Sequence, residues 1–153
     1  MNTLDSGKTV AVDAGLATLR VVLAIIFVAH GAQKVFQFGI AGVTQGFTQM
    51  GIPLPAITAP LVAGLELVGG VLLLVGLFTR PIALLLAIDM VAAAVLVHLR
   101  NGFFLPNGYE FTLILFAASL ALVMTGPGEL SLDAMIAKRR RGRVAPAAPA
   151  ARY

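Results

Sequence analysis

The sequence predicts an all-α membrane protein, a bundle of four transmembrane helices. Three observations carry that expectation. Of 153 residues, 59% are hydrophobic and 12% charged, and mean hydropathy is +0.95. A small soluble globule cannot bury so large an apolar share. The apolar residues also fall in blocks of about 20, the helical length needed to cross a hydrocarbon core about 30 Å thick. The ten-residue alternating segments of a membrane barrel are absent from the pattern.

The elements follow in order. Residues 1–13 are polar and form an N-terminal segment. Residues 14–126 hold the membrane domain, with helices expected over about 14–36, 57–78, 81–99 and 108–125. The last of these crosses if it stands nearly upright. Between the second and third helices the link is Thr79-Arg80-Pro81, tight enough to make an antiparallel hairpin. Proline there opens a helix without losing a hydrogen bond. Gly126-Pro127-Gly128 ends the fourth helix, and a short surface turn is expected over 131–137. The tail, 127–153, is basic and then Ala/Pro-rich, with its final stretch expected to be disordered. In the first loop Ile40, Val43, Phe47 and Met50 recur at helical spacing opposite Thr44, Gln45, Thr48 and Gln49. That pattern fits either a short interfacial amphipathic helix or an irregular Gly-rich loop.

Charge distribution sets the orientation. Four crossings place Lys8, Arg20, Arg80, Lys138, Arg139, Arg140, Arg141, Arg143 and Arg152 on one side, and Lys34 and Arg100 on the other. Basic residues favour the cytoplasmic side, so both termini are expected there, in a multi-pass membrane protein. The net charge of +4 belongs to this topology and to lipid headgroups, not to nucleic acid. The sequence has no cysteine, which excludes thiolate-held iron–sulfur clusters, cysteine zinc sites and dithiol relays within the chain.

Ionisable residues inside a membrane are costly and mark function by default. Counted at about 1.5 Å per residue from the cytoplasmic ends, His30, Glu66, His98 and Glu110 reach a common layer roughly 18–25 Å deep. Lys34 and Arg100 lie at most a turn beyond it. Glu66 sits far from either end of its helix and is expected to be neutral or paired with Lys34, His30 or Arg100. It is either a structural ion pair or a ligand and proton site. His30 and Lys34, four residues apart, share a helix face. Glu110 opens the fourth helix, where the helix dipole alone favours a carboxylate. The set reads as a ligand site of His30, Lys34, His98 and Arg100, with Glu66 and Glu110 exchanging protons. Arg20 and Asp89 read as a separate structural pair nearer the cytoplasm. No metal site is expected. Haem on His30 and His98 is the weaker reading, because two histidines without further partners do not define it.

These residues also carry a resemblance. Arg20 with His30-Gly31-Ala32-Gln33-Lys34, then Gly51-Ile52-Pro53, begin it. Glu66-Leu67-Val68-Gly69-Gly70 with Gly76-Leu77-Phe78-Thr79-Arg80, Asn107-Gly108-Tyr109-Glu110, and the run 126–133 ending in Ser131-Leu132-Asp133 follow in order. Over 16–133 the sequence resembles the DoxX family of small bacterial inner-membrane proteins. The resemblance implies a four-helix membrane protein. It further implies a membrane subunit associated with quinone-linked oxidation of reduced sulfur compounds, or with oxidoreductase complexes handling thiols or superoxide. Quinone is the expected small-molecule cofactor, and a soluble or membrane oxidoreductase the expected partner. The alternative is a non-enzymatic scaffold or a small solute or proton transporter, which would require a homodimer to build a pathway.

Overall fold

The computed structural model describes residues 3–144; the side chains of Lys8 and Arg143 and the whole of 145–153, including Arg152, lie outside the described residues. Every regular element among them is helical. The helices are α1 (Thr3–Ala32), α2 (Gly39–Met50), α3 (Pro55–Gly64), α4 (Gly70–Val75), α5 (Thr79–Ala93), α6 (Glu110–Thr125) and α7 (Leu132–Val144). π-Helical turns over Gln33–Phe38, Leu65–Gly69 and Ala94–His98 extend α1, join α3 to α4, and extend α5. Three resulting rods, Thr9–Met50, Pro55–Val75 and Thr79–Asn101, are long and apolar enough to cross a membrane, and Glu110–Thr125 is a shorter apolar helix.

The first rod bends. At 42 residues a straight helix would be about 63 Å long, twice the hydrocarbon thickness. Gly39, with φ +68° and ψ 156°, takes a conformation open to glycine alone and breaks the rod there. Beyond the break α2 folds back along α3. The open question over 37–56 is thus settled in favour of a helix, and one that packs on the bundle.

The four rods close into a ring. α1 lies against α4 and its π turn, α5 against α6, and α6 returns to α1. Leu23, Ala24, Phe27, Leu73, Leu86, Met90, Leu115 and Leu122 fill the centre. Large apolar side chains such as Ile25, Leu61, Ile88 and Ile114 point outward and are more than half exposed, the arrangement expected when lipid is the outer solvent. Glycine sets the closest approach. A Cβ on Gly31 would lie 2.3 Å from the Leu67 backbone nitrogen, and one on Gly70 would lie 2.9 Å from that of Val28. Small residues here let α1 touch the second rod along its backbone.

One end of the ring is locked by the segment 126–133. Arg20 donates to the carbonyls of Pro127 at 2.5 Å and Leu130 at 2.6 Å. The Leu130–Asp133 stretch then meets the α4–α5 turn, where the Asp133 N–H donates to Gly76 O at 2.9 Å. The Asp133 carboxylate accepts from the Phe78 and Thr79 N–H groups, both at 2.9 Å. α5 has no side-chain cap from its own preceding residue, so Asp133 caps it from more than 50 residues away. The expected surface turn over 131–137 is instead the start of α7, because Asp133 and Ser131 anchor its first turn.

Removing a helix cap costs about 0.5–2 kcal/mol. Asp133→Ala is therefore expected to lower the unfolding midpoint of the detergent-solubilised protein in thermal scans, and Asp133→Asn to lower it less. Equal midpoints for Asp133→Ala and wild type would show that the cap carries no stability.

Candidate functional site

Each π turn carries a polar residue. Lys34 is in the first, Glu66 in the second, and His98 ends the third. A π turn fits one extra residue into the helix, leaves a backbone carbonyl less well satisfied and redirects the side chains that follow. Such turns are rare and concentrate at functional sites. Three of them at one level of one bundle define the candidate site.

Lys34 Nζ meets Glu66 Oε2 at 2.5 Å. The Glu66 side chain is 6% exposed and that of Lys34 19%, so the pair is largely withdrawn from solvent. Gly31, one turn before Lys34, allows the backbone approach that brings these two side chains together. Lys34 of this pair lines a cavity of about 250 Å³, with Thr58, Asp89 and His98 at its other polar positions; Glu66 reaches it only through Lys34. Phe47 and Met50 from α2, Ile52 and Val62, and Leu96 and Val97 supply its apolar wall. Asp89 is buried, its Oδ2 has no hydrogen-bond partner, and it lies within electrostatic reach of Glu66 and Lys34. An unsatisfied carboxylate oxygen in such surroundings is expensive.

His98 lines this cavity and a second one of about 260 Å³ between α1, α5 and α6. Its Nδ1 is 2.9 Å from the Asn107 carbonyl, so this nitrogen carries the proton and donates. His30 lines the second cavity with Phe111, their ring centroids 6.2 Å apart.

Several expectations change. Arg20 and Asp89 do not pair: Arg20 is spent on the 127–130 carbonyls, beside Gly76, whereas Asp89 lies 13 residues further along the chain in α5. Asp89 instead joins Lys34 and Glu66. Glu110, like Glu66, lines neither cavity, but unlike Glu66 it is not paired to a residue that does. Its Oε1 accepts from the Leu105 N–H at 2.6 Å and ties down the 102–109 loop. Arg100 is exposed and reaches back toward the Leu96 carbonyl at 3.4 Å. His30 and Lys34 share a helix face but open on different cavities, because the π turn begins between them and changes the direction of the second. Asp89 is expected beside Arg20, and α2 as one of two alternatives for the first loop; only the part played by Asn107 has no counterpart in the expectations. Asp89 was detectable as an ionisable group inside a span; α2 and Asn107 reach the site only through the fold.

The DoxX family model matches residues 15–99. The chain belongs to the DoxX family. It is similar to a Bacillus subtilis protein named "Putative oxidoreductase CatD", at 37% identity over 84% of this chain and 92% of that one. It is also similar to the Escherichia coli inner membrane proteins YphA, 33% identical over 87% and 99% of the two chains, and YqjF, 32% identical over 83% and 95%. No solved structure gives a significant match. This DoxX protein is accordingly a multi-pass helical protein of the bacterial plasma membrane. The family match ends at the end of the third rod and contains Lys34, Glu66, Asp89 and His98.

Breaking a buried pair costs more than removing it whole, because the surviving charge is left unpartnered. Lys34→Met or Glu66→Leu alone is expected to destabilise by up to about 3 kcal/mol. The double substitution should recover much of that loss. Additive losses in a double-mutant cycle would show that the two side chains do not interact in the membrane.

Proposed function

We propose that this DoxX protein is a membrane subunit of quinone-linked redox chemistry and that the cavity lined by Lys34 and Asp89, with Glu66 paired to Lys34 behind it, receives the quinone head group. The observation that carries the reading is the polar end of an otherwise apolar cavity. An ammonium and a buried carboxyl with a free oxygen, set beside aromatic and aliphatic walls, suit a flat ring with two carbonyls and an apolar tail. Lys34 donates a hydrogen bond to a quinone carbonyl. Asp89 and Glu66 exchange the protons. Reduction adds two electrons and two protons, converting both carbonyls to hydroxyls; among the described residues no side chain supplies electrons, so an oxidoreductase partner delivers or accepts them. The name of the Bacillus subtilis relative, an oxidoreductase by its wording, supports the same class.

We propose a topology to go with this reading. The shorter α6 completes a fourth crossing, so both termini share a side. Nine Lys and Arg residues against two support a cytoplasmic location for that side and, with it, a cavity in the outer half of the bilayer.

Bound lipid extracted from protein purified in mild detergent is expected to contain quinone near one equivalent in wild type and at least about tenfold less in Asp89→Asn, a loss of about 1.4 kcal/mol or more. Glu66→Gln should behave like Asp89→Asn, with thermal scans confirming that both variants are folded. Absence of quinone from wild type would turn the reading toward a scaffold or a proton-coupled solute pathway. Because the chain has no native cysteine, topology can be read from single labels. In intact spheroplasts a membrane-impermeant maleimide should label Gln49→Cys and spare Gly142→Cys; the reverse pattern would invert the orientation.

A further inference from the structure

Opposite the polar cavity, at the end locked by Asp133, α7 leaves the bundle. From Met135 to Gly142 every residue is exposed, and none of the bundle helices packs along it. Its first turn and the α4–α5 turn enclose a cleft of about 320 Å³, lined by Leu77, Phe78, Asp133, Ile136, Ala137 and Arg140. Leu77 and Phe78 directly follow the membrane-length rod Pro55–Val75, so the cleft lies where hydrocarbon gives way to headgroups. Phe78 holds φ at +51°, a left-handed conformation that a bulky residue adopts at a cost. Its ring remains 62% exposed.

We infer that this cleft binds one anionic phospholipid, with Arg140 on the phosphate and Phe78, Leu77 and Ile136 against the upper acyl chain. Charge complementarity selects the occupant. The Asp133 carboxylate keeps its charge, but its oxygens face two backbone N–H groups and Arg20 lies within electrostatic reach to offset it; among the described residues it forms no ion pair with Arg140. Lys138 is paired with Glu129 at 2.5 Å. Arg140 therefore remains as the cleft's cation, with Arg139 and Arg141 beside it to hold the wider anionic surface. A guanidinium recognises a phosphate by paired hydrogen bonds, and each basic residue near a membrane surface adds to anionic lipid attraction. The exposed Phe78 ring and Ile136 side chain distinguish a lipid from a free anion, since a water-soluble phosphate leaves both uncovered.

Native mass spectrometry of the full chain, released from detergent micelles doped with phosphatidylglycerol or phosphatidylcholine, tests the assignment. Phosphatidylglycerol should remain bound at one equivalent and phosphatidylcholine should not. Arg140→Gln should weaken retention at least about fivefold, and Ile136→Ser should weaken it as well. Neither substitution touches the Arg20 or Asp133 contacts, and unchanged thermal midpoints would confirm the fold. Equal retention of the two lipids, or full retention by Arg140→Gln, would overturn the inference. Displacement of the lipid by millimolar inorganic phosphate would also overturn it, assigning the cleft to a soluble anion.

Discussion

The contact between Lys34 and Glu66 is the constraint on which the rest of the structure depends. An ammonium and a carboxylate inside an apolar bundle must neutralise one another, since no water is at hand to do so. To meet, they require α1 and the second rod to approach to backbone contact, and Gly31 against Leu67 provides that approach. They also require their helices to leave regular α geometry, and both residues lie in π turns. With this pair fixed, Asp89 and His98 from the third rod face the same cavity. The break at Gly39 then brings Phe47 and Met50 over it.

The two ends of the bundle divide the work. At the cavity end, regular helix gives way to π turns, a glycine break and an unpaired carboxylate oxygen, all features that cost stability. The opposite end is tied by two sets of hydrogen bonds, Arg20 to the carbonyls of Pro127 and Leu130 and Asp133 to the backbone of the α4–α5 turn. Such a division is expected of a functional membrane protein: polar chemistry is held open in one layer by rigidity supplied in another.

The sequence revealed the chemistry more readily than its arrangement. Glu66 was legible as an intramembrane carboxylate, and Lys34 stood among its three candidate partners. Depth alone, counted at a constant helical rise, also collected Glu110 and Arg100, which belong to the 102–109 loop and the exposed rim. A depth count has no angular information once a π turn or loop intervenes, which is why His30 and Lys34 separate onto different cavities. Arg20 and Asp89 failed as a pair for a related reason. The partners of Arg20 are backbone carbonyls more than 100 residues away, and carbonyls leave no mark on side-chain pattern.

By itself the sequence determined that the chain is an all-helical membrane protein. Apolar blocks of bilayer length and the punctuation by Gly and Pro are local properties, and the hydrophobic effect reads them without reference to the fold. It also narrowed the polar residues of the apolar layer to a short set that contains Lys34 and Glu66, because burying a charge is costly wherever the charge goes. Tertiary structure alone decided which of them meet. That choice depends on where helices depart from 3.6 residues per turn, on a glycine that removes the last side chain between two backbones, and on loops whose carbonyls complete distant sites. These are interactions between segments, and a residue's own neighbours in the chain do not specify them.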